Sequence, residues 1–198
     1  MTESRHPRVL CIVVECDLEA VALRAFLDCA TGMTINVTLR GVATSYQLTD
    51  ALCAAADEAD LVVITCHGDD EGIILEELAP GVLGPDQPFE ARVGPEQIRA
   101  RVRLHGQTVV ATGCSLGTAE MARAFLGAGA GYYVAAAGDP EGWAGPLLLA
   151  LLCHELLVRG RALPEALKRI AAYDAELALF RGWGRDAAGA VVGLPEGG

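Results

Sequence analysis

Two apolar runs in this chain break at residues equipped for chemistry. "LVVITCHGDD", residues 61–70, ends in His67-Gly68 and two aspartates, and "TVVATGCSLG", residues 108–117, ends in Gly113-Cys114-Ser115. A third run, "YVAAAGDPEGW", ends in Gly138-Asp139-Pro140-Glu141. A thiol and an imidazole facing each other across one crevice make a cysteine nucleophile. The thiolate attacks a carbonyl carbon, and the imidazole first takes the thiol proton and then delivers it to the leaving amine. Glycines beside both residues let backbone amides approach a substrate, so the N–H groups of Gly68 and Cys114 are candidate oxyanion donors. Cys114 also lies just before "GTAEMARAFLGAG", whose helix dipole would favour a thiolate. Taken singly, each residue has an ordinary explanation. A lone cysteine is usually a small core hydrophobe, and a histidine at a strand end is usually a hydrogen-bonded surface group. Their joint placement carries the reading. His105 closes a charged helix, His154 sits beside Glu155 within a helix, and His6 lies in the N-terminal tail.

Strand and helix patterns alternate around these runs. "RVLCIVVE" and "DLVVITC" are short, continuous and rich in branched residues, as fully buried strands are. "MTINVTLRG", "QTVVATG" and "GYYVAAAG" complete a set of five strands, and "GIILEEL" reads as one arm of a small hairpin. Helices are expected over "DLEAVALRAFLDCA", with Asp17 as cap and Leu18, Val21, Ala22 and Phe26 on one face. Further helices are "QLTDALCAAADEA", "PEQIRARVRLHG" and "GTAEMARAFLGAG", the last capped by Thr118 with Met121, Phe125 and Leu126 on its apolar side. "GPLLLALLCHELLVRG" and "LPEALKRIAAYDAELALF" read as two more, while "APGVLGPDQPFEARVGP" reads as loop. Repeated strand–helix units predict an α/β domain of three layers, a mostly parallel central sheet with helices on both faces. One domain is expected over 1–198, with its core at about 8–180 and a Gly/Ala-rich tail at 181–198 that adds an edge strand or frays. In such sheets the site forms beyond the carboxyl ends of the strands, at the point where strand order reverses.

Composition narrows the function further. With 52% hydrophobic residues over 198 positions, a large buried core is expected. The net charge of −11 argues against a nucleic-acid backbone or an anionic membrane as partner. The basic residues cluster in "RARVRLHG", read as a solvated helix face. The longest stretch without Asp, Glu, Lys, Arg or His, 124–138, has 15 residues and many glycines, short of a membrane-spanning helix, and no secretory signal is visible. The seven cysteines form no CxxC pair, which removes support for zinc-ribbon and thioredoxin readings and fits free thiols in a reducing cytoplasm. No cofactor and no metal cage are expected.

Cys114 follows His67 by 47 residues, and caspase-type enzymes place the His roughly 50 residues before the Cys. "VVITCHGDDEGIIL" resembles the caspase-like pattern of strand, His-Gly, acidic turn and hairpin. "TVVATGCSLGTAEMARAFLGAGAGYYVAA" is similar to the segment around the nucleophile in the bacterial CHAT branch of caspase-related peptidases, and "GPLLLALLCHELLVRGRALPEALKRI" resembles its two-helix ending. The resemblance spans about residues 8–180 and implies a caspase-like fold. It implies Cys114 as nucleophile, His67 as base and Gly68 as oxyanion donor in peptide-bond hydrolysis through a thioester. Departures are visible. The caspase signature around the nucleophile is replaced by "TGCSL", so Thr112 stands where a residue gripping the substrate's P1 side chain is expected, and Thr grips neither charge strongly. No Asp-rich processing linker follows Cys114, so a single uncut chain is expected, and no prodomain is expected before the core. Some metacaspases need calcium, for which "DDEG" is at best a weak site.

Acidic residues crowd the expected rim: Glu15 and Asp17, then Asp69, Asp70 and Glu71, then Asp139 and Glu141. Carboxylates there would select Arg or Lys at P1, with Asp17 and Asp139 as favoured contacts and Glu15, Asp69 and Thr112 as further ones. The bland alternative is that these are helix caps and turn residues. Partners expected are a protein or peptide substrate and a regulatory protein, in a bacterial defence or stress system. Glutamine amidotransferases also pair Cys with His, but their Cys sits in a G-x-C-x-G elbow and their His follows it. A nucleotide-binding module would want a glycine-rich loop after the first strand, where "VVECDLEA" has none. The rival from another class is a catalytically silent caspase-like scaffold that binds partners through its acidic surface.

Overall fold

A computed structural model describes residues 6–14, 18–30, 35–79, 82–83 and 88–194. In chain order the elements are β1 (Arg8–Val14), α1 (Leu18–Ala30), β2 (Asn36–Val42), α2 (Ser45–Glu58), β3 (Leu61–Thr65), β4 (Gly68–Asp69), β5 (Gly72–Ile74), β6 (Arg92–Val93) and α3 (Pro95–Arg101). Then follow β7 (Thr108–Ala111), α4 (Ala119–Gly127), β8 (Tyr132–Ala136), α5 (Ala144–Cys153), α6 (Leu163–Ala171), β9 (Phe180–Arg185) and β10 (Val191–Gly193).

The strands β1, β3, β7 and β8 form the middle of a seven-stranded sheet ordered β10-β9-β8-β7-β3-β1-β2. Five of its strands run parallel, and the β9–β10 hairpin is antiparallel. Alternation along each strand divides the side chains between two faces. Leu10, Ile12, Val62, Ile64, Val109 and Tyr133 pack on one side with Leu48 and Leu52 of α2, Ile98 of α3 and Met121 and Phe125 of α4. Val9, Cys11, Val63, Val110 and Val134 pack on the other with Leu23 and Leu27 of α1, Leu148 and Leu152 of α5 and Leu167 of α6. This is the three-layer α/β architecture, with each layer of helices sealing one face of a sheet buried on both sides. Strand order reverses between β1 and β3, because the chain steps outward to β2 and then returns across β1 to build β3, β7 and β8. A second, three-stranded sheet, β4-β5-β6, stands directly after β3.

Four expectations change. The helix over 95–106 stops at Arg101, because Val102 and Leu104 are both buried and so follow a strand-like period. Leu104 and Gly106 then pair through their amides with the Ala128 and Gly129 carbonyls. "RARVRLHG" is accordingly not one solvated helix face. Arg99 bonds Glu120 at 2.7 Å, Arg101 holds Glu90 through both terminal nitrogens at 2.7 and 2.8 Å, and Arg103 lies past the helix. The helix over 163–180 ends at Ala171, and Phe180–Arg185 is a strand whose inward positions include Gly182 and Gly184, which hid the alternation. The sheet thus runs past residue 180 into the segment read as tail. On α1 the buried positions are Ala20, Leu23 and Leu27, while Val21 is 57% exposed, because α1 packs between β1, β2 and α5 with Arg24 turned to the Val37 carbonyl at 3.0 Å. Finally, the loop over 79–95 contributes β6, and the hairpin arm foreseen at "GIILEEL" is β5. Among the described residues, no helix is long and apolar enough to cross a membrane.

Candidate active site

The two chemically equipped strand ends are neighbours. β3 and β7 pair in parallel with Ile64 opposite Ala111, so the residues that leave them, Cys66-His67-Gly68 and Thr112-Gly113-Cys114, emerge side by side. The ladder continues past the strands, since Thr112 donates its amide to the Ile64 carbonyl at 3.0 Å and accepts the Cys66 amide on its hydroxyl at 3.3 Å. Beyond that point the backbones touch. A Cβ on Gly113 would lie 2.9 Å from the Gly68 nitrogen and 3.0 Å from the His67 carbonyl carbon. A Cβ on Gly68 would lie 2.6 Å from Leu116 Cγ and 2.9 Å from the Cys114 oxygen. Only glycine at both positions permits this approach. His67 is exposed and Cys114 is half-buried, with a free thiol. The backbone of His67 is fixed from the other side, where the Ile74 amide donates to its carbonyl at 3.0 Å.

The loop from Gly113 to Gly117 is tied to β8 as firmly as to β3. Ser115 donates its amide to the Gly138 oxygen at 2.8 Å and its hydroxyl to Asp139 Oδ1 at 2.9 Å, and Gly117 donates to the Ala136 oxygen at 2.6 Å. Leu116 is fully buried, and its carbonyl accepts the Tyr133 hydroxyl at 3.0 Å. Burial pushes the Cys114 thiol above its ordinary range, and the negative charges of Asp139 and Glu19 push the same way, against the opposing pull of its own amide. The expected dipole activation of the thiol is therefore corrected. α4 begins only at Ala119, with the Thr118 hydroxyl accepting the Met121 amide, and residues 115–118 separate it from Cys114. A dipole effect fades within the first turn, so the acidic neighbours prevail.

The other site candidates separate clearly. Asp139 stands at the crevice, one hydrogen bond from Ser115, the residue after Cys114. Glu15 and Asp17 lie outside the described residues. Thr112 is 7% exposed, with its hydroxyl accepting the Cys66 amide, so it joins β3 to β7. Asp69 is likewise occupied. Its Oδ1 accepts the Glu71 and Gly72 amides at 3.0 and 3.1 Å, and its Oδ2 accepts Arg92 Nε at 2.9 Å. It closes the β4–β5 turn onto β6. Sequence reasoning missed Glu19, whose carboxylate packs against Gly145 at the start of α5 and whose charge reaches Cys114. As a first-turn acid of a helix it carried no distinguishing signal. It also missed Ser115, discussed below. Among the described residues, no three His, Cys, Asp or Glu side chains group as a metal site.

The hydrogen bonds from Arg92 hold the Asp69 carboxyl below its usual range. A depressed carboxyl stabilises the fold above its unfolded pKa and loses that contribution as pH falls through the folded value. Wild type is therefore expected to lose stability below about pH 4, and Asp69→Asn to flatten that part of the profile. Because the pair is partly exposed, the effect at neutral pH is under about 1 kcal/mol. Urea titrations from pH 3 to 7 check it, and parallel profiles for both proteins would remove Asp69 as the source.

No family model matches the chain, and no curated protein matches it in sequence. Among solved structures it is similar to a chain of the Saccharomyces cerevisiae separase–securin complex, with a TM-score of 0.57 and 12% sequence identity over 90% of this chain. The match spans 12% of that much longer chain. At this identity the likeness establishes the fold, a caspase-like α/β fold with a mostly parallel central sheet.

Proposed function

We propose that this chain is a cysteine endopeptidase with Cys114 as nucleophile and His67 as general base and acid. The observation that carries the reading is the backbone contact between Gly113 and the His67–Gly68 peptide, which sets the two reactive residues at adjacent strand ends. His67 takes the Cys114 proton, and the thiolate attacks the carbonyl carbon of the scissile bond. The N–H groups of Gly68 and Cys114 receive the developing oxyanion. The imidazolium then gives its proton to the leaving amine, leaving a thioester. Water, deprotonated by the same imidazole, hydrolyses the thioester and restores the thiol.

The P1 preference in this reading is Arg or Lys. Asp139 and Glu19 are the described carboxylates whose charges reach Cys114, and a cation seated among them forms charge-assisted hydrogen bonds. A regulatory protein partner, in a bacterial defence or stress setting in the cytoplasm, belongs to the same reading. A thiol raised by burial and by its acidic neighbours suits an enzyme that is quiet at rest, and the similar separase chain is found in a complex with securin. The raised thiol equally favours a second reading, a silent caspase-like scaffold that binds partners through its acidic surface.

A P1-scanning fluorogenic peptide library and an acyloxymethyl-ketone peptide probe, read by intact mass, separate the two. Cleavage after Arg and Lys, with one adduct mapped to Cys114, is expected. Arg and Lys ranking lowest in the library would overturn the P1 assignment. Absence of cleavage and adduct, both alone and with candidate partner proteins added, would establish the scaffold.

A further inference from the structure

Between the nucleophile and α4 the backbone takes an uncommon course. Ser115 has a φ of +55°, and among the described residues it is the single non-glycine in the left-handed region. That region is costly for a residue with a Cβ and free for glycine. Glycine stands two residues to either side of it, at Gly113 and Gly117, yet this position is a serine. What serine adds is its hydroxyl, and that hydroxyl is committed to Asp139 Oδ1 at 2.9 Å. The amide of the same residue is committed to Gly138, the neighbour of Asp139, at 2.8 Å. Two bonds from one residue thus clamp the β8 turn to the residue next to Cys114. Asp139 is exposed, and its Oδ2 makes no hydrogen bond among the described residues. One oxygen is held and the other is open to a ligand. Among the described residues, the charged groups whose fields reach Cys114 are Asp139 from the β8 turn and Glu19 from α1, and the His67 backbone arrives from the β3 exit.

We propose that Ser115 is a positioning residue that locks the Asp139 carboxylate beside the nucleophile, so that a guanidinium, amidinium or ammonium group bound there makes Cys114 more nucleophilic. The inference rests on the reading of Asp139 as a contact for a cationic P1 side chain. The physical argument is a charge balance. With Asp139 unoccupied, its negative charge opposes a second negative charge on sulfur. A bound cation cancels it, and the Cys114 proton passes to His67 more readily, giving thiolate and imidazolium. The same proton later leaves with the amine, so nothing else is consumed. A substrate with the right P1 charge thereby helps to ionise the group that attacks it, while a neutral side chain leaves the thiol protonated.

The test is the pH profile of Cys114 alkylation by iodoacetamide on the full chain, followed site by site by peptide mass. It is run with and without benzamidine, an uncleavable cation, and with neutral benzamide as control. In wild type, saturating benzamidine moves the midpoint to lower pH, raising alkylation below the midpoint by about threefold or more, and benzamide does not. Shielding of the thiol by a bound ligand lowers the amplitude and leaves the midpoint in place, so the two effects separate. Asp139→Asn shows the lower midpoint without ligand and no response to benzamidine. Ser115→Gly keeps the left-handed backbone and loses only the hydroxyl. It is expected to lose most of the benzamidine response while unfolding at the wild-type temperature. Ser115→Asn, which tolerates the same backbone and can donate through its amide, restores the response. A midpoint that benzamidine leaves unmoved overturns the proposal, as does an equal shift in Asp139→Asn or a Ser115→Gly profile identical to wild type. Alkylation needs no peptide cleavage. A chain that responds to benzamidine but never cleaves peptides retains the coupling and loses the peptidase reading. One that cleaves after Arg with an unmoved midpoint loses the coupling alone.

Discussion

Replacing Cys114 by alanine is expected to remove peptide cleavage, by a factor of about 10^6, since among the described residues at the crevice Cys114 carries the one thiol that is not buried. His67→Ala is expected to reduce kcat/KM by about 10^2–10^4-fold, the usual contribution of a positioned acid–base group. The double variant should be no worse than Cys114→Ala alone, because base and nucleophile act in one step and their effects do not add. Neither change should disturb the fold. Cys114 is half-buried at the loop and His67 is exposed, so both unfolding free energies should stay within about 0.5 kcal/mol of wild type. That contrast separates chemistry from packing: activity collapses and stability does not. Cleavage that persists in Cys114→Ala would assign the activity to another residue. A His67→Ala variant as active as wild type would remove the imidazole from the mechanism and leave the thiol to be ionised by its surroundings alone, which the acidic neighbours Asp139 and Glu19 oppose.

How much of this was readable beforehand depends on what kind of signal each residue carried. β3 and β7 were legible because a strand covered on both faces has no solvent side to encode, so it is written as an unbroken branched run. The first polar residues after such a run are the strand exit, and His67 and Cys114 stand just past it. Their pairing was conditional on the two strands being neighbours, and the register of β3 on β7 meets that condition. The turn role of Asp69 was not read because a rim carboxylate and a turn carboxylate look alike in isolation. The Gly three residues later was the available clue, since Asp at the first turn position and Gly at the fourth is a type I signature. The bridging role of Thr112 was hidden for a different reason. Its place in the string is right beside the nucleophile, but strand alternation turns its hydroxyl toward Cys66. Glu15 and Asp17 lie outside the described residues, so among the described carboxylates of the rim Asp139, joined by Glu19, is the one whose charge reaches Cys114. Ser115 had no sequence signal whatever, since its conformation is imposed by bonds to a turn more than twenty residues away in the chain.

Gly113→Ala tests the contact on which the active-site geometry rests. The added methyl would meet Leu116 Cδ1 at 2.8 Å, the Gly68 nitrogen at 2.9 Å and the His67 carbonyl carbon at 3.0 Å. The leucine methyl is the end of a side chain and can turn away, although Leu116 is fully buried. The other two atoms are backbone, and the backbone there is pinned by the Ile74 amide on the His67 carbonyl and by the Cys66–Thr112 bond. Relief therefore comes from separating the exits of β3 and β7. Overpacking of this kind costs about 1–3 kcal/mol of stability. A displacement of about 1 Å between nucleophile and base costs about 10^2-fold in rate. The expected result is a folded, modestly destabilised protein whose kcat falls by that larger factor while KM for an Arg peptide changes little, because Asp139 is held from β8 and not from β3. Gly127→Ala is the matching control, since nothing lies within 4 Å of its added methyl and it sits in α4. There alanine should raise stability by up to about 1 kcal/mol and leave the rate alone. A Gly113→Ala enzyme with wild-type kcat would mean that the separation of the two strand exits does not set the working distance between Cys114 and His67, and the backbone contact would then be a packing feature without catalytic consequence.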